Sequence, residues 1–210
     1  MNVMKMAARA AKVTGRDRRL LRAASGGHEA TVRLLLDRGA QIETVFSDGW
    51  TALLLAARDG YEGTVRLLLH RGAQIEAASS DGWTALLLAA RNGHEATVQL
   101  LLVHGARIEA ASTDGWTALH RAASNGHEAT VRLLLDRGAQ IDAPSSGVWT
   151  ALHRAAENGH ESTVRLLLDR GARIDATSPS GWTALSRADV NGQEATVRLL
   201  LNLGAIDRRR

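Results

Sequence analysis

The chain has no cysteine, one phenylalanine (Phe46), one tyrosine (Tyr61) and only two prolines in 210 residues. Without cysteine there are no disulfides, no thiolate metal sites and no cysteine nucleophile. An intracellular, most simply cytoplasmic, protein fits that composition, with a nuclear or mitochondrial location left open. Long apolar runs are also missing, because glycines and charged residues interrupt every hydrophobic stretch well short of membrane-spanning length. Two catalytic signatures are absent as well. No serine lies in a Gly-x-Ser-x-Gly elbow, and no Gly-x-x-x-x-Gly-Lys phosphate cradle occurs.

What the chain does have is a period. Trp50, Trp83, Trp116, Trp149 and Trp182 recur every 33 residues, and the stretch 81–113, DGWTALLLAARNGHEATVQLLLVHGARIEAAST, is nearly copied around each of them. Within this unit Leu86, Ala89 and Ala90 fall at i, i+3, i+4, and Val98, Leu101 and Leu102 repeat the spacing, which predicts two short amphipathic helices. Thr84 is a good N-cap for the first helix, behind an Asp-Gly turn signal. Gly93 and Gly105 stand where the helices must reverse and stop, and recur as Gly60/Gly72, Gly126/Gly138, Gly159/Gly171 and Gly192/Gly204. One such unit buries too little to fold alone. Stacked units give each apolar face to a neighbour, so the expected fold is an all-α solenoid in one elongated domain.

The unit resembles the ankyrin repeat, on the signatures Thr117-Ala118-Leu119-His120 and Thr150-Ala151-Leu152-His153, with Gly126-His127, Gly159-His160, Gly138-Ala139 and Gly171-Ala172. The resemblance spans roughly residues 17 to 207 and implies β-turn fingers followed by antiparallel helix pairs, about six in all. The near-identity of the copies looks like that of fungal ankyrin-repeat arrays. Alanine stands in place of the family's proline throughout. Leu54 and Leu87 replace the signature histidine in two units, so the hydrogen-bond network that this histidine joins in the family is expected to be absent there.

The organisation expected from the register is a basic capping segment (1–16), a degenerate first repeat (17–47), four full repeats (48–179), a C-terminal capping repeat (180–207) and a basic tail (208–210). In the first repeat Asp17 and Arg18 occupy the tryptophan and threonine slots. The altered last unit reads as the end of a complete array. Residues 1–16 also have the composition of a mitochondrial presequence. A cap is preferred because the segment runs into the first repeat with no recognisable processing site.

The pI of about 10.5 suggests nucleic-acid binding until the charges are placed. Lys5, Arg9, Lys12 and Arg16 contribute +4 and Arg208 to Arg210 contribute +3; with +4 for the whole chain, the body 17–207 sums to −3. A basic face is therefore not expected, and neither nucleic acid nor membrane is expected as a partner.

Recurring His-Glu pairs, such as His94/Glu95 and His127/Glu128, lack the second histidine that a zinc-protease helix needs four residues on. They read as part of the inter-helix turn, with glutamate favouring a helix N-terminus. His120 and His153 occupy equivalent positions one repeat apart; the resemblance implies that each anchors its turn and the neighbouring repeat. No catalytic, cofactor or metal residues are assigned.

What remains is a surface. By position, the resemblance places on the concave, partner-binding face Trp50, Trp83, Trp116, Trp149 and Trp182, the finger acids Asp48, Asp81 and Asp114, and the helix positions Leu55, Leu88, Arg121, Arg154 and Arg187, with Arg58 and Arg91 one turn further on. If half of each indole stays accessible, the row exposes on the order of 500 Å², near the upper end for an apolar patch on a monomer. The alternative is that each ring only roofs the core. Leu54, Leu55, Leu87 and Leu88 suggest an apolar end, and His120/Arg121, His153/Arg154 and Arg187 a basic end. The expected function is a monomeric, non-catalytic protein-interaction module holding a protein segment with an apolar and an acidic part. The arginines are expected to stack on the indoles with their charge left for a partner carboxylate; the alternative is that they are solvated surface or pair with Glu157. A cryptic groove enzyme and a structural spacer in a larger assembly stay open as alternatives.

Overall fold

The computed structural model describes residues 13–46, 48–145 and 147–206. Most of the expected basic capping segment, residues 1–12, and the tail 208–210 lie outside the described residues. Twelve helices follow one another: α1 (Gly15–Ser25), α2 (Glu29–Asp37), α3 (Ala52–Arg58), α4 (Glu62–His70), α5 (Ala85–Arg91), α6 (Glu95–Val103), α7 (Ala118–Ser124), α8 (Glu128–Asp136), α9 (Ala151–Glu157), α10 (Glu161–Asp169), α11 (Ala184–Val190) and α12 (Glu194–Asn202). Each odd helix packs on the even helix that follows it, odd helices stack on odd and even on even. The result is the solenoid of six helix pairs that the 33-residue period predicts. Among the described residues there are no strands beyond one isolated bridge between Ala111 and Thr117, and no helix is long and apolar enough to cross a membrane.

The short odd helices are explained by their ends. Thr51 and Thr84 accept hydrogen bonds through Oγ1 from the amides of Leu54 (3.3 Å) and Leu87 (3.4 Å), satisfying a donor of the first turn. Nine residues after the threonine the chain reverses through a glycine of positive φ, such as Gly93 at 72°, where a Cβ would stand 2.6 Å from the His127 ring of the next repeat. Only glycine supplies both the conformation and the space. His127 Nε2 in turn donates to the Arg91 carbonyl (2.9 Å), and His94 and His160 donate likewise to the carbonyls of Arg58 and Ser124. The His-Glu pairs thus tie repeats together, with the glutamate opening each even helix, as the sequence suggests.

A second tie runs through the loop that follows each even helix. Glu43, Glu76, Glu109, Asp142 and Asp175 accept hydrogen bonds from the backbone amides of Gln74, Arg107, Gln140, Arg173 and Ile206, each in the following repeat. In the first unit the amide of Gln41 is met instead by Asp17 from α1, at 2.9 Å. Asp17 is buried and also accepts from the amide and hydroxyl of Thr14, completing a capping box. Burial by itself would raise its pKa, but these donors outweigh it and hold the carboxyl below its ordinary value. Compared with α3, whose first residue Ala52 corresponds in register to Arg19, α1 starts a full turn earlier at Gly15 and runs for 11 residues. Asp17 and Arg18 are therefore inside a helix rather than in a finger, and this extra turn brings Asp17 to Gln41.

One finger departs from the rest. Val148 stands where the other fingers have Gly49, Gly82, Gly115 and Gly181, and it keeps their left-handed conformation at φ 58°, the one such non-glycine among the described residues. For a β-branched residue this costs about 1–2 kcal/mol. Val148→Gly is expected to raise the melting temperature by about 2–4 °C, read by thermal denaturation, after the entropy cost of glycine is subtracted. Asp17→Ala should act the other way, losing about 1–3 kcal/mol in chemical denaturation because two backbone amides lose their acceptor.

Candidate partner-binding face

The fingers are held from beneath by serines. Ser79, Ser112, Ser145 and Ser178 are buried; each amide donates to the carbonyl of the tryptophan four residues on, and Ser79 and Ser178 also accept the Trp83 and Trp182 amides on Oγ, both at 3.2 Å. Neighbouring fingers join through Ser80 N–H to the Asp48 carbonyl (3.0 Å) and Thr113 N–H to the Asp81 carbonyl (3.2 Å). The finger acids Asp48, Asp81 and Asp114 are exposed.

All five tryptophans are partly buried at the base of the fingers, Trp50 and Trp83 packing directly on the core. Their faces are covered by guanidinium groups. Arg121 lies 4.2 Å from the Trp83 ring centre and 4.4 Å from that of Trp116; Arg154 lies 4.3 Å from Trp116 and 5.6 Å from Trp149; Arg187 lies 4.8 Å from Trp149 and 5.8 Å from Trp182. Indole and guanidinium alternate without a break from Trp83 to Trp182. At the other end Arg58 and Arg91 cover Trp50 at 5.5 Å and Trp83 at 5.2 Å. Such contacts are worth about 0.5–2 kcal/mol each, more where desolvated. Stacking leaves the edges of the guanidinium, where the N–H donors point, for in-plane hydrogen bonds.

Arg121, Arg154 and Arg187 each already meet an acid through one terminal nitrogen, while the Nε of all three is buried without a partner among the described residues. Arg121 meets Asp114 at 2.7 Å and the Ser112 hydroxyl at 2.8 Å. Arg154 meets Glu157 at 2.8 Å, and Arg187 binds the second oxygen of the same carboxylate. Arg58 is paired with Asp59 at 2.7 Å. Burial tends to raise the Asp114 pKa, but the Ser112 hydroxyl and Arg121 pull it below its ordinary value. Arg91 is exposed and engages Trp83 with no ion pair among the described residues.

Two expectations for this face need correction. Leu55 and Leu88, assigned to the binding surface, are 5% and 2% exposed, and Leu54 and Leu87 are fully buried. A seven-residue helix flanked by odd helices on both sides and closed by its own even helix has almost no solvent side. An arginine in the same slot escapes only because its stem is long enough to carry the charge out. The apolar exposure near that end comes instead from Val45 and Phe46 in the first finger, 41% each. Nor is the other end plainly basic, since Asp114 and Glu157 offset three arginines. The sequence reading missed the role of Asp59 and of the buried serines. The 33-residue recurrence of Ser79, Ser112, Ser145 and Ser178 is the signal that could have found the latter.

The two signature histidines close the site from below. His120 Nδ1 accepts from the Thr117 amide (3.3 Å) and hydroxyl (2.9 Å), which places the proton on Nε2, and Nε2–H donates to the Trp149 carbonyl at 2.9 Å. His153 repeats this with Thr150 and the Trp182 carbonyl. Each histidine therefore sets the tryptophan of the next repeat, as the resemblance implies, and leucine fills the slot without a hydrogen bond in the second and third repeats.

Burial lowers the pKa of His120 to about 4, against the raising effect of its carbonyl acceptors, and shifts His153 in the same direction. An unfolded histidine titrates near 6.5, so between about pH 6.5 and 4 the unfolded chain binds protons that the folded one does not. Stability is complete above that window and falls as pH falls through it, by about 3 kcal/mol from His120 alone. Chemical denaturation at pH 7.5 and 4.5 should show this loss, and the double variant His120→Leu/His153→Leu should show much less of it. Parallel pH profiles would contradict the assignment.

A family model described as Ankyrin repeats (3 copies) matches three times, over residues 15–79, 72–145 and 143–209. No curated protein matches the chain. Since the model matches cover nearly the whole sequence and the helix pairs stack as its period requires, the chain belongs to the ankyrin-repeat family.

Proposed function

We propose that the chain is a non-catalytic protein-binding module whose partner segment lies across the fingers and the Trp–Arg ladder. Ankyrin repeats generally mediate protein–protein interaction, and the family is typically non-catalytic. The observation that carries the finer reading is the unbroken alternation of indole and guanidinium from Trp83 to Trp182. Tryptophan and arginine dominate binding hot spots because both offer large, stiff, partly desolvated surfaces. Here the stacking has already removed much of the freedom that an arginine otherwise loses on binding.

The partner is a protein segment whose apolar groups meet the indole edges and the exposed Val45 and Phe46, while its carbonyls or carboxylates accept from the guanidinium edges. An acidic side chain meets least competition at Arg91; at Arg121, Arg154 and Arg187 it must share the cation with Asp114 or Glu157. This arrangement favours an acid near the Trp83 end.

Affinity capture from native lysate with the intact chain beside Trp83→Ala/Trp116→Ala/Trp149→Ala, both checked by circular dichroism, tests the face. A partner held by the first and lost by the second supports it. For that partner, Arg121→Glu/Arg154→Glu should weaken binding by more than tenfold, about 1.4 kcal/mol or more. Arg91→Glu at this exposed position should also weaken it. Equal capture by intact chain and all three variants would place the partner elsewhere.

A further inference from the structure

Two of the five junctions between even helices carry an ion pair at one place, and at a third a pair of histidines stands there instead. Asp37, the last residue of α2, is ion-paired at 2.7 Å with Arg71, which follows α4. Asp136, the last residue of α8, is ion-paired at 2.7 Å with Arg170, which follows α10. In both cases the partners are 34 residues apart. At the same place between α4 and α6 stand His70 and His104, the last residue of α4 and the residue following α6, with ring centres 5.9 Å apart and planes inclined at 57°. Both residues are exposed.

His104 is oriented by its own helix. Its Nδ1–H donates to the Leu100 carbonyl at 2.9 Å, which fixes the tautomer and leaves the Nε2 lone pair free. This is the arrangement by which proteins prepare an imidazole to bind a metal ion: one ring nitrogen held by a backbone carbonyl, the other open. Two imidazoles sharing a tetrahedral ion, with metal–nitrogen bonds of about 2.0–2.1 Å, have ring centres roughly 5 Å apart. The observed separation of 5.9 Å is within about 1 Å of that distance.

No other histidines in the chain combine these features. His94, His127 and His160 spend Nε2 on a carbonyl of an earlier repeat, and His120 and His153 use both nitrogens. The turn after that of His28 carries Tyr61 in place of a histidine.

We propose that His70 and His104 form a two-histidine site for a divalent transition-metal ion of the zinc type, clipping the second repeat to the third at the place where two other junctions use an ion pair. Among the described residues no group of three or more histidine, aspartate or glutamate side chains could hold an ion, so water completes the coordination and the ion is exchangeable. The neighbouring cations Arg71, Arg66 and Arg107 are paired with Asp37, Glu62 and Glu76 and do not oppose a bound ion with full charge. Imidazole nitrogens suit Zn²⁺, Ni²⁺ and Cu²⁺ rather than Mg²⁺ or Ca²⁺.

The test is calorimetric titration of the tag-free chain with Zn²⁺ at pH 7.5, with thermal denaturation in its presence. One Zn²⁺ per chain and a rise in melting temperature are expected, since an ion bound to the folded state stabilises it. His70→Ala and His104→Ala should each weaken binding at least tenfold and abolish the rise, while His28→Ala keeps both. His70→Asp/His104→Arg, which rebuilds the ion pair seen between α2 and α4 and between α8 and α10, should fold normally and bind no Zn²⁺. Absence of saturable binding, or binding that survives His70→Ala, would overturn the site.

Discussion

Everything in this molecule depends on helices too short to stand alone. A seven-residue helix such as α3 forms hardly two turns, and isolated helices of that length do not persist in water. What holds it is burial on nearly every side: Ala52 to Ala57 are all buried between α1, α5 and α4. The alanines permit close approach and the leucines fill the space behind. Since each odd helix is held by its neighbours, cohesion is local and repeated, and the chain has many small junctions in place of one centre.

The same constraint shapes the surface. Helices with so little free perimeter can present side chains to a partner only from the finger bases and through long stems, which is why the accessible chemistry concentrates in indoles and guanidinium groups. Stacking those cations between rings half-desolvates them, and the structure answers with Asp59, Asp114 and Glu157. The face is thereby closely balanced in charge along its length, with Arg91 as the cation left without an ion pair among the described residues.

Much of the fold could be read from the sequence because it is written six times. Thr51 and Thr84 as caps, the reversing glycines and the glutamates opening the even helices all follow from local rules that each copy repeats. The site was only partly legible. Burial of Leu55 and Leu88 depends on how adjacent helices close over a position, which a helical pattern read one unit at a time does not contain. The pairing of Arg121 with Asp114 joins residues seven apart across a turn, and that of Arg187 with Glu157 joins residues 30 apart across repeats. The stacking of each arginine between two indoles likewise needs the rise from one repeat to the next. Asp17 illustrates the remaining limit, for its register position predicts a finger, while its contacts with Thr14 and Gln41 belong to an extended helix.

The hydrogen bonds that each loop carboxylate accepts from the amide one repeat later have a direction. Every internal unit offers one acceptor forward and one donor backward, so the units join head to tail like identical monomers in a polymer. Cutting out or splicing in a whole internal unit leaves the same number of satisfied bonds at the new junction as at the old. Copy number is therefore close to isodesmic along this tie: tandem duplication lengthens the molecule without asking any existing residue to change, and near-identical units are what such growth leaves behind.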